Sequence, residues 1–171
     1  MSVASITETG QYLTFKLDSE TFAIDISRVR EVLEFKTVTK VPQTPDFMLG
    51  VINLRGSVVP VVDMRLKFGM SGIAVTVNTC IIIVEMEFDG ETAVLGASVD
   101  SVQEVLELAP DQISPPPRIG ERLNNQVIKA MGHHGAQFIM IFDMDKVFSA
   151  EELAAAQEMG VETPTLEEVA V

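Results

Sequence analysis

Residues 12–21 read Tyr12-Leu13-Thr14-Phe15-Lys16-Leu17-Asp18-Ser19-Glu20-Thr21, and residues 83–92 read Ile83-Val84-Glu85-Met86-Glu87-Phe88-Asp89-Gly90-Glu91-Thr92. In the first stretch Leu13, Phe15 and Leu17 alternate onto one face. Asp18-Ser19 can turn the chain, and Phe22, Ile24 and Ile26 resume the alternation, which is the pattern of a β-hairpin. The second stretch has the same grammar around the turn Asp89-Gly90, and Asp18, Glu20 and Thr21 match Asp89, Glu91 and Thr92. After a short slip, Val29, Glu31, Val32, Leu33 and Glu34 match Val102, Glu104, Val105, Leu106 and Glu107.

The matches continue in order. Val51, Ile52 and Gly56 are set against Val127, Ile128 and Gly132. After turns of different length, Val61-Val62-Asp63-Met64 meets Ile141-Phe142-Asp143-Met144, and Phe68 falls opposite Phe148. Shared order over such a span indicates an internal duplication. Each unit carries about five short strands and no long helix, so each is expected to close into a small barrel, which leaves no open sheet edges. A unit that small buries too little surface alone, so the two should share a further apolar interface.

The punctuation fits this layout. Ser27 can cap a helical turn from Arg28 to Val32. Thr44-Pro45-Asp46 reads as the start of another turn, ended by Gly50. Asp63 and Gly69 bracket a third, and Gly69 to Asn78 links the units. Pro60 lacks an N–H, so its strand is expected at an edge or irregular there. Pro115-Pro116-Pro117 is a rigid extended stretch. Ser149-Ala150-Glu151-Glu152 is a capping box that opens a C-terminal helix over 149–160, followed by a flexible acidic tail, 161–171.

The chain has 171 residues, a net charge of −13 and 47% hydrophobic content, which suits a folded protein. So acidic a chain argues against nucleic-acid binding and against anionic membrane surfaces. No run approaches the roughly 18 apolar residues of a membrane span, and the N-terminus does not read as a signal peptide. The single cysteine, Cys80, excludes an intrachain disulfide and fits a half-buried strand position in a cytoplasmic setting.

Catalytic chemistry is scarce. The two histidines are adjacent in Gly132-His133-His134-Gly135, read as an exposed hairpin turn with no further metal ligand close by. There is no nucleophile motif and no phosphate loop. Neither an enzyme nor a cofactor or metal is expected. The most informative segment is Gly50-Val51-Ile52-Asn53-Leu54-Arg55-Gly56-Ser57-Val58-Val59-Pro60-Val61-Val62-Asp63, two apolar strands around a turn whose one charge is Arg55. By itself that arginine is either an ordinary turn residue or a contact for a partner.

With Val59-Pro60-Val61-Val62-Asp63-Met64-Arg65, this segment resembles the CheW family of chemotaxis coupling proteins. The resemblance extends through Phe22-Ala23-Ile24-Asp25-Ile26, Val29-Arg30-Glu31-Val32, Val41-Pro42-Gln43-Thr44-Pro45, Gly96, Val99-Asp100-Ser101-Val102 and Phe142-Asp143. It implies a mainly β fold of two five-stranded, SH3-like barrels with short helical turns, over one domain at 11–148. The barrel units would span about 11–70 and 79–148, with exchange of end strands allowed. It further implies a non-enzymatic adaptor between the histidine kinase CheA, through its regulatory domain, and the cytoplasmic tip of chemoreceptors. The adaptor would be cytoplasmic and recruited to receptor arrays without membrane insertion. The receptor groove implied by position involves Ile26, Val29, Val32, Gly50, Arg55, Val102 and Val105. The alternative for the four valines is the core. Alternatives for the whole chain are the regulatory module of a CheA-type kinase, a module of another motility pathway, or a small-molecule-binding barrel.

Overall fold

The computed structural model describes residues 9–72, 75–88, 90–115, 127–148 and 152. The expected polyproline stretch, C-terminal helix and acidic tail lie outside these, except Pro115 and Glu152, as does Asp89 of the second turn. Alternating apolar residues place strands β1 (Gly10–Leu17), β2 (Glu20–Asp25), β3 (Val29–Glu34), β4 (Met48–Leu54), β5 (Ser57–Asp63), β6 (Cys80–Phe88), β7 (Glu91–Val99), β8 (Ser101–Leu108), β9 (Ile113–Ser114), β10 (Ile128–His134) and β11 (Gln137–Phe142). Two one-turn helices, α1 (Met64–Lys67) and α2 (Met144–Val147), follow β5 and β11. Their N-caps are Asp63 and Asp143, whose Oδ1 atoms accept the backbone N–H groups of Arg65 (2.9 Å) and Asp145 (3.1 Å).

The strands form two sheets, ordered β8-β1-β2-β11-β10-β9 and β3-β6-β7-β5-β4. Each sheet takes strands from both halves of the chain: hairpin β1–β2 sits with β8 to β11, and hairpin β6–β7 sits with β3 to β5. The exchange is symmetric. β11 runs parallel to β2, as β5 runs parallel to β7. Each sheet curls around a small core to which both of its edge strands contribute. In the first these are Leu108 and Ile113, with Tyr12, Ala23, Ala130, Ile139 and Ile141. In the second, Leu33 and Ile52 pack with Val59, Val61, Ile81 and Ile83.

The largest apolar cluster lies between the sheets. It joins Leu13, Phe15, Leu17, Phe22, Ile24 and Phe142 of one to Met48, Val62, Ile82, Val84, Met86, Leu95 and Val99 of the other. Phe68, just after α1, stacks on Phe142 at 4.8 Å, and Phe142 on Phe22 at 5.0 Å, so aromatic rings cross the interface. The run Ile81-Ile82-Ile83-Val84 is therefore buried on both sides, with alternate residues feeding the barrel core and the shared core.

Several local readings are corrected by the register. Turns Arg55-Gly56 and Gly135-Ala136 are both two residues long, so β4–β5 and β10–β11 align at one constant offset. The matches of Val51, Ile52 and Gly56 with Val127, Ile128 and Gly132 do not survive. Gly132 is small because a Cβ would meet the Leu108 side chain at 2.8 Å, whereas Gly56 serves a turn with φ +89°. Asp25, not Ser27, caps the turn after β2: its Oδ1 accepts the Ser27 N–H at 2.9 Å. That turn is a 3-10 turn, Ile26–Arg28, and Val29 already begins a strand. Pro60 stands in an interior strand, opposite Val51. Val51 exchanges both backbone bonds with Thr39, so the Val51–Pro60 pair needs no hydrogen bond, and pairing of β5 to β7 begins only at Val61.

Gly50 ends no turn. It lies inside β4 at φ +144°, and a Cβ there would meet the Thr39 carbonyl oxygen at 2.0 Å. Gly50→Ala must push the Thr39 strand away, and we expect a loss of about 1–3 kcal/mol in unfolding free energy by urea denaturation. Wild-type stability in this variant would mean that the 38–39 segment does not hold against β4.

Candidate functional site

The implied groove residues gather mostly on two strands, β3 and β8, each an edge of its sheet. Positions three apart on a regular strand face opposite ways, because side chains alternate. Here a bulge intervenes in each. Val29 pairs with Val84 and Val32 with Ile82, with one extra residue in β3 between them. Val102 pairs with Phe15 and Val105 with Leu13, with one extra residue in β8. Directly paired residues share a face, and Val84, Ile82, Phe15 and Leu13 all belong to the shared core. All four valines thus point to the inter-barrel side.

Their depth differs. Ile26, Val29 and Val102 pack partly buried against the shared core. Val32 and Val105 are 41% and 46% exposed, forming its open rim. The register also shows that Val29 corresponds to Val105 rather than to Val102, since Val84 and Leu13 are the equivalent partners. Matching Val29 to Val102 by the letters Val-x-x-Val is therefore three residues out of step. Glu104 and Glu107 make the β8 edge acidic, whereas β3 carries Arg30 beside Glu31 and Glu34.

Arg55 is the first residue of the β4–β5 turn, with φ +51° beside Gly56 at +89°, the two left-handed positions of a tight hairpin turn. The Asn53 side-chain oxygen accepts the Gly56 N–H at 2.8 Å. The Arg55 guanidinium points outward, 70% exposed, and pairs with Glu31 of β3, whose hydrogen bond first and negative charge second push the guanidinium's pKa up. This pair joins the turn of one edge strand to the other edge of the curled sheet. Gly50, by contrast, is buried and offers no surface; it enables the close approach of Thr39.

Among the ion pairs that sequence reasoning missed, two tie together elements far apart in the chain. Arg28 and Asp145 form a two-pronged pair at 2.9 and 2.5 Å. Arg65 reaches Asp100 at 2.7 Å. Arg65 and Asp100 lie within quoted motifs, but no spacing in the chain announces that they meet. The histidines end β10 rather than forming its turn, and His133 Nε2 lies 2.7 Å from Ser114 Oγ. Among the described residues there is no group of three or more potential metal ligands, and no helix is long and apolar enough to cross a membrane. A cleft of about 400 Å³, lined in part by Lys40, Pro42, Thr44, Met48 and Leu66, lies beside α1, away from the valines.

Comparison with known proteins gives one answer. The family model described as "CheW-like domain" matches residues 11–152. Chemotaxis protein CheW of Klebsiella aerogenes is 37% identical over 144 residues, covering 84% of this chain and 84% of that protein. Chemotaxis protein CheW of Rhizobium meliloti is 31% identical over 146 residues, covering 85% and 92%. The crystal structure of scaffolding protein TtCheW from Thermoanaerobacter tengcongensis superimposes with a TM-score of 0.73 at 31% identity, covering 84% of this chain and 94% of that one.

The split between rim and core is testable without any partner. Val29→Asp places a charge against the shared core and is expected to cost about 2 kcal/mol or more, whereas Val32→Asp and Val105→Asp should stay within about 0.5 kcal/mol of wild type. Urea titrations of the three variants, followed by circular dichroism, decide it. Equal losses would put the rim valines in the core.

Proposed function

The chain belongs to the CheW family of chemotaxis scaffolding proteins, which are adaptors and not enzymes, and from that premise we propose that it couples chemoreceptors to the histidine kinase CheA. In this reading the receptor's helical hairpin tip lies along the rim between β3 and β8, and the kinase's regulatory domain docks elsewhere on the barrels. The protein acts in the cytoplasm, recruited to receptor arrays at the membrane.

One observation carries the reading. Two edge strands from different sheets each use a bulge to present valines on the side of the shared core, with the outer valines left open. A helix docked in a groove is held by apolar side chains presented from the two walls of the groove. Burial there stabilises at about 25 cal/mol per Å². Arg55 stands outside the seam on a rigid turn, where its planar fork can exchange Glu31 for carbonyl or carboxylate acceptors at the receptor tip.

The test is isothermal titration of a receptor signalling fragment against wild type, Val105→Asp and Arg55→Glu, with the kinase regulatory domain titrated in parallel. Each variant should bind the receptor fragment about tenfold to a hundredfold more weakly, the loss of a charge-assisted bond in the case of Arg55. Kinase binding and the melting temperature should stay near wild type. Unchanged receptor affinity in both variants would overturn the reading.

A further inference from the structure

Two of the missed ion pairs, Arg28–Asp145 and Arg65–Asp100, occupy equivalent places with their charges reversed. The chain crosses between the sheets twice, from β2 to β3 and from β7 to β8. Arg28 is the last residue before β3, and Asp100 the last before β8. Each is held by the second residue of a one-turn helix: Arg28 by Asp145 of α2, and Asp100 by Arg65 of α1. At both places the carboxylate also receives a backbone N–H from a β-hairpin of the other sheet. Asp145 Oδ1 accepts from Glu87 at 3.1 Å, and Asp100 Oδ2 from Asp18 at 2.6 Å. Arg65 Nε further donates to the Ser71 carbonyl at 2.9 Å. These groups are only about a fifth to a third exposed, and Asp100 Oδ1 is buried without a partner, so loss of the guanidinium would leave a poorly solvated charge. Each junction thus ties a helix that follows one sheet, a crossover and a hairpin of the opposite sheet to a single carboxylate.

We propose that Arg28–Asp145 and Arg65–Asp100 are clamps on the two crossovers, positioning residues that fix the angle between the barrels and with it the separation of β3 and β8. The apolar core alone does not determine that angle, because hydrophobic contact is non-directional and two curved faces can rock on it. Directional bonds at both crossovers remove that freedom. The consequence for receptor binding rests on the function proposed above; the clamp itself does not.

The experiment therefore measures geometry and binding separately. Nitroxide labels on Glu34→Cys and Glu107→Cys, exposed positions on β3 and β8, in a Cys80→Ser background report the inter-barrel distance by pulsed electron–electron resonance. Arg28→Ala should broaden or shift the distance distribution while the thermal transition stays cooperative, and Arg28→Lys, which keeps the charge, should restore much of the narrow distribution. Asp145→Asn, which keeps an oxygen for the Glu87 N–H, should reproduce the broadening. In unlabelled protein, Arg28→Ala should weaken a receptor signalling fragment about fivefold or more, and the kinase regulatory domain less than twofold. Arg65→Ala should do the same more strongly; should it fail to fold, the Arg28 and Asp145 variants decide alone. Unchanged distributions in both overturn the clamp. A broadened distribution with unchanged receptor affinity upholds the clamp and counts against the groove as the receptor site.

Discussion

The structure depends on one burial: the outer faces of two small barrels against each other. Among the described residues no long helix covers either sheet, and the separate barrel cores are modest, centred on residues such as Ala130 and Ile139 in one and Val61 and Ile83 in the other. The shared cluster is larger than either. This explains why interior strands such as β6 and β11 are apolar on both faces, a trait more familiar in buried parallel sheets. It also explains why aromatic rings collect at Phe22, Phe142 and Phe68, where wide planar groups fill the gap between curved surfaces.

From that burial follows the arrangement of everything at its margin. The edge strands β3 and β8 end the shared face, and their bulges keep valines turned inward past the point where a regular strand would turn them away. The β3 edge carries Arg30 and Glu34 and the β8 edge Glu104 and Glu107, charges that discourage the strands from pairing with other chains. An exposed valine beside such carboxylates offers apolar area without becoming a site of indiscriminate aggregation. The rim can therefore serve an interaction while a chain of net charge −13 stays dispersed.

Much of this was legible in the residues. Alternation marked the hairpins, Asp63 marked the start of one helical turn, and the shortage of covering elements required an interface between units. What escaped is what alternation does not encode. A duplicated sequence names its strands but not which copy each will join, so the exchange of β1–β2 with β6–β7 was open. The letters Val-x-x-Val do not say which frame holds, so Val29 matches Val102 by sequence although its structural equivalent is Val105, three residues on. Gly50 read as punctuation because its neighbours suggest a turn; the reason for glycine is the Thr39 carbonyl, eleven residues away. Arg55 stood out by its isolation in an apolar segment, but its partner Glu31 lies across the closed sheet, and such closure pairs become visible only once the edges meet.

The exchanged hairpins impose an order on the chain as it leaves the ribosome. Synthesis runs from the N-terminus, and structure forms as segments emerge. Hairpin β1–β2 appears first, yet its sheet is completed by β8 to β11, the last of which ends at Phe142. Strands β3 to β5 follow, but they must wait for Val99 before β6–β7 completes their sheet. The later-starting barrel is thus the first to finish, and the opening hairpin spends most of translation as an unsatisfied apolar ribbon. Its persistence depends on the tight turn at Asp18-Ser19 and on whatever transient cover the emerging chain or a chaperone supplies.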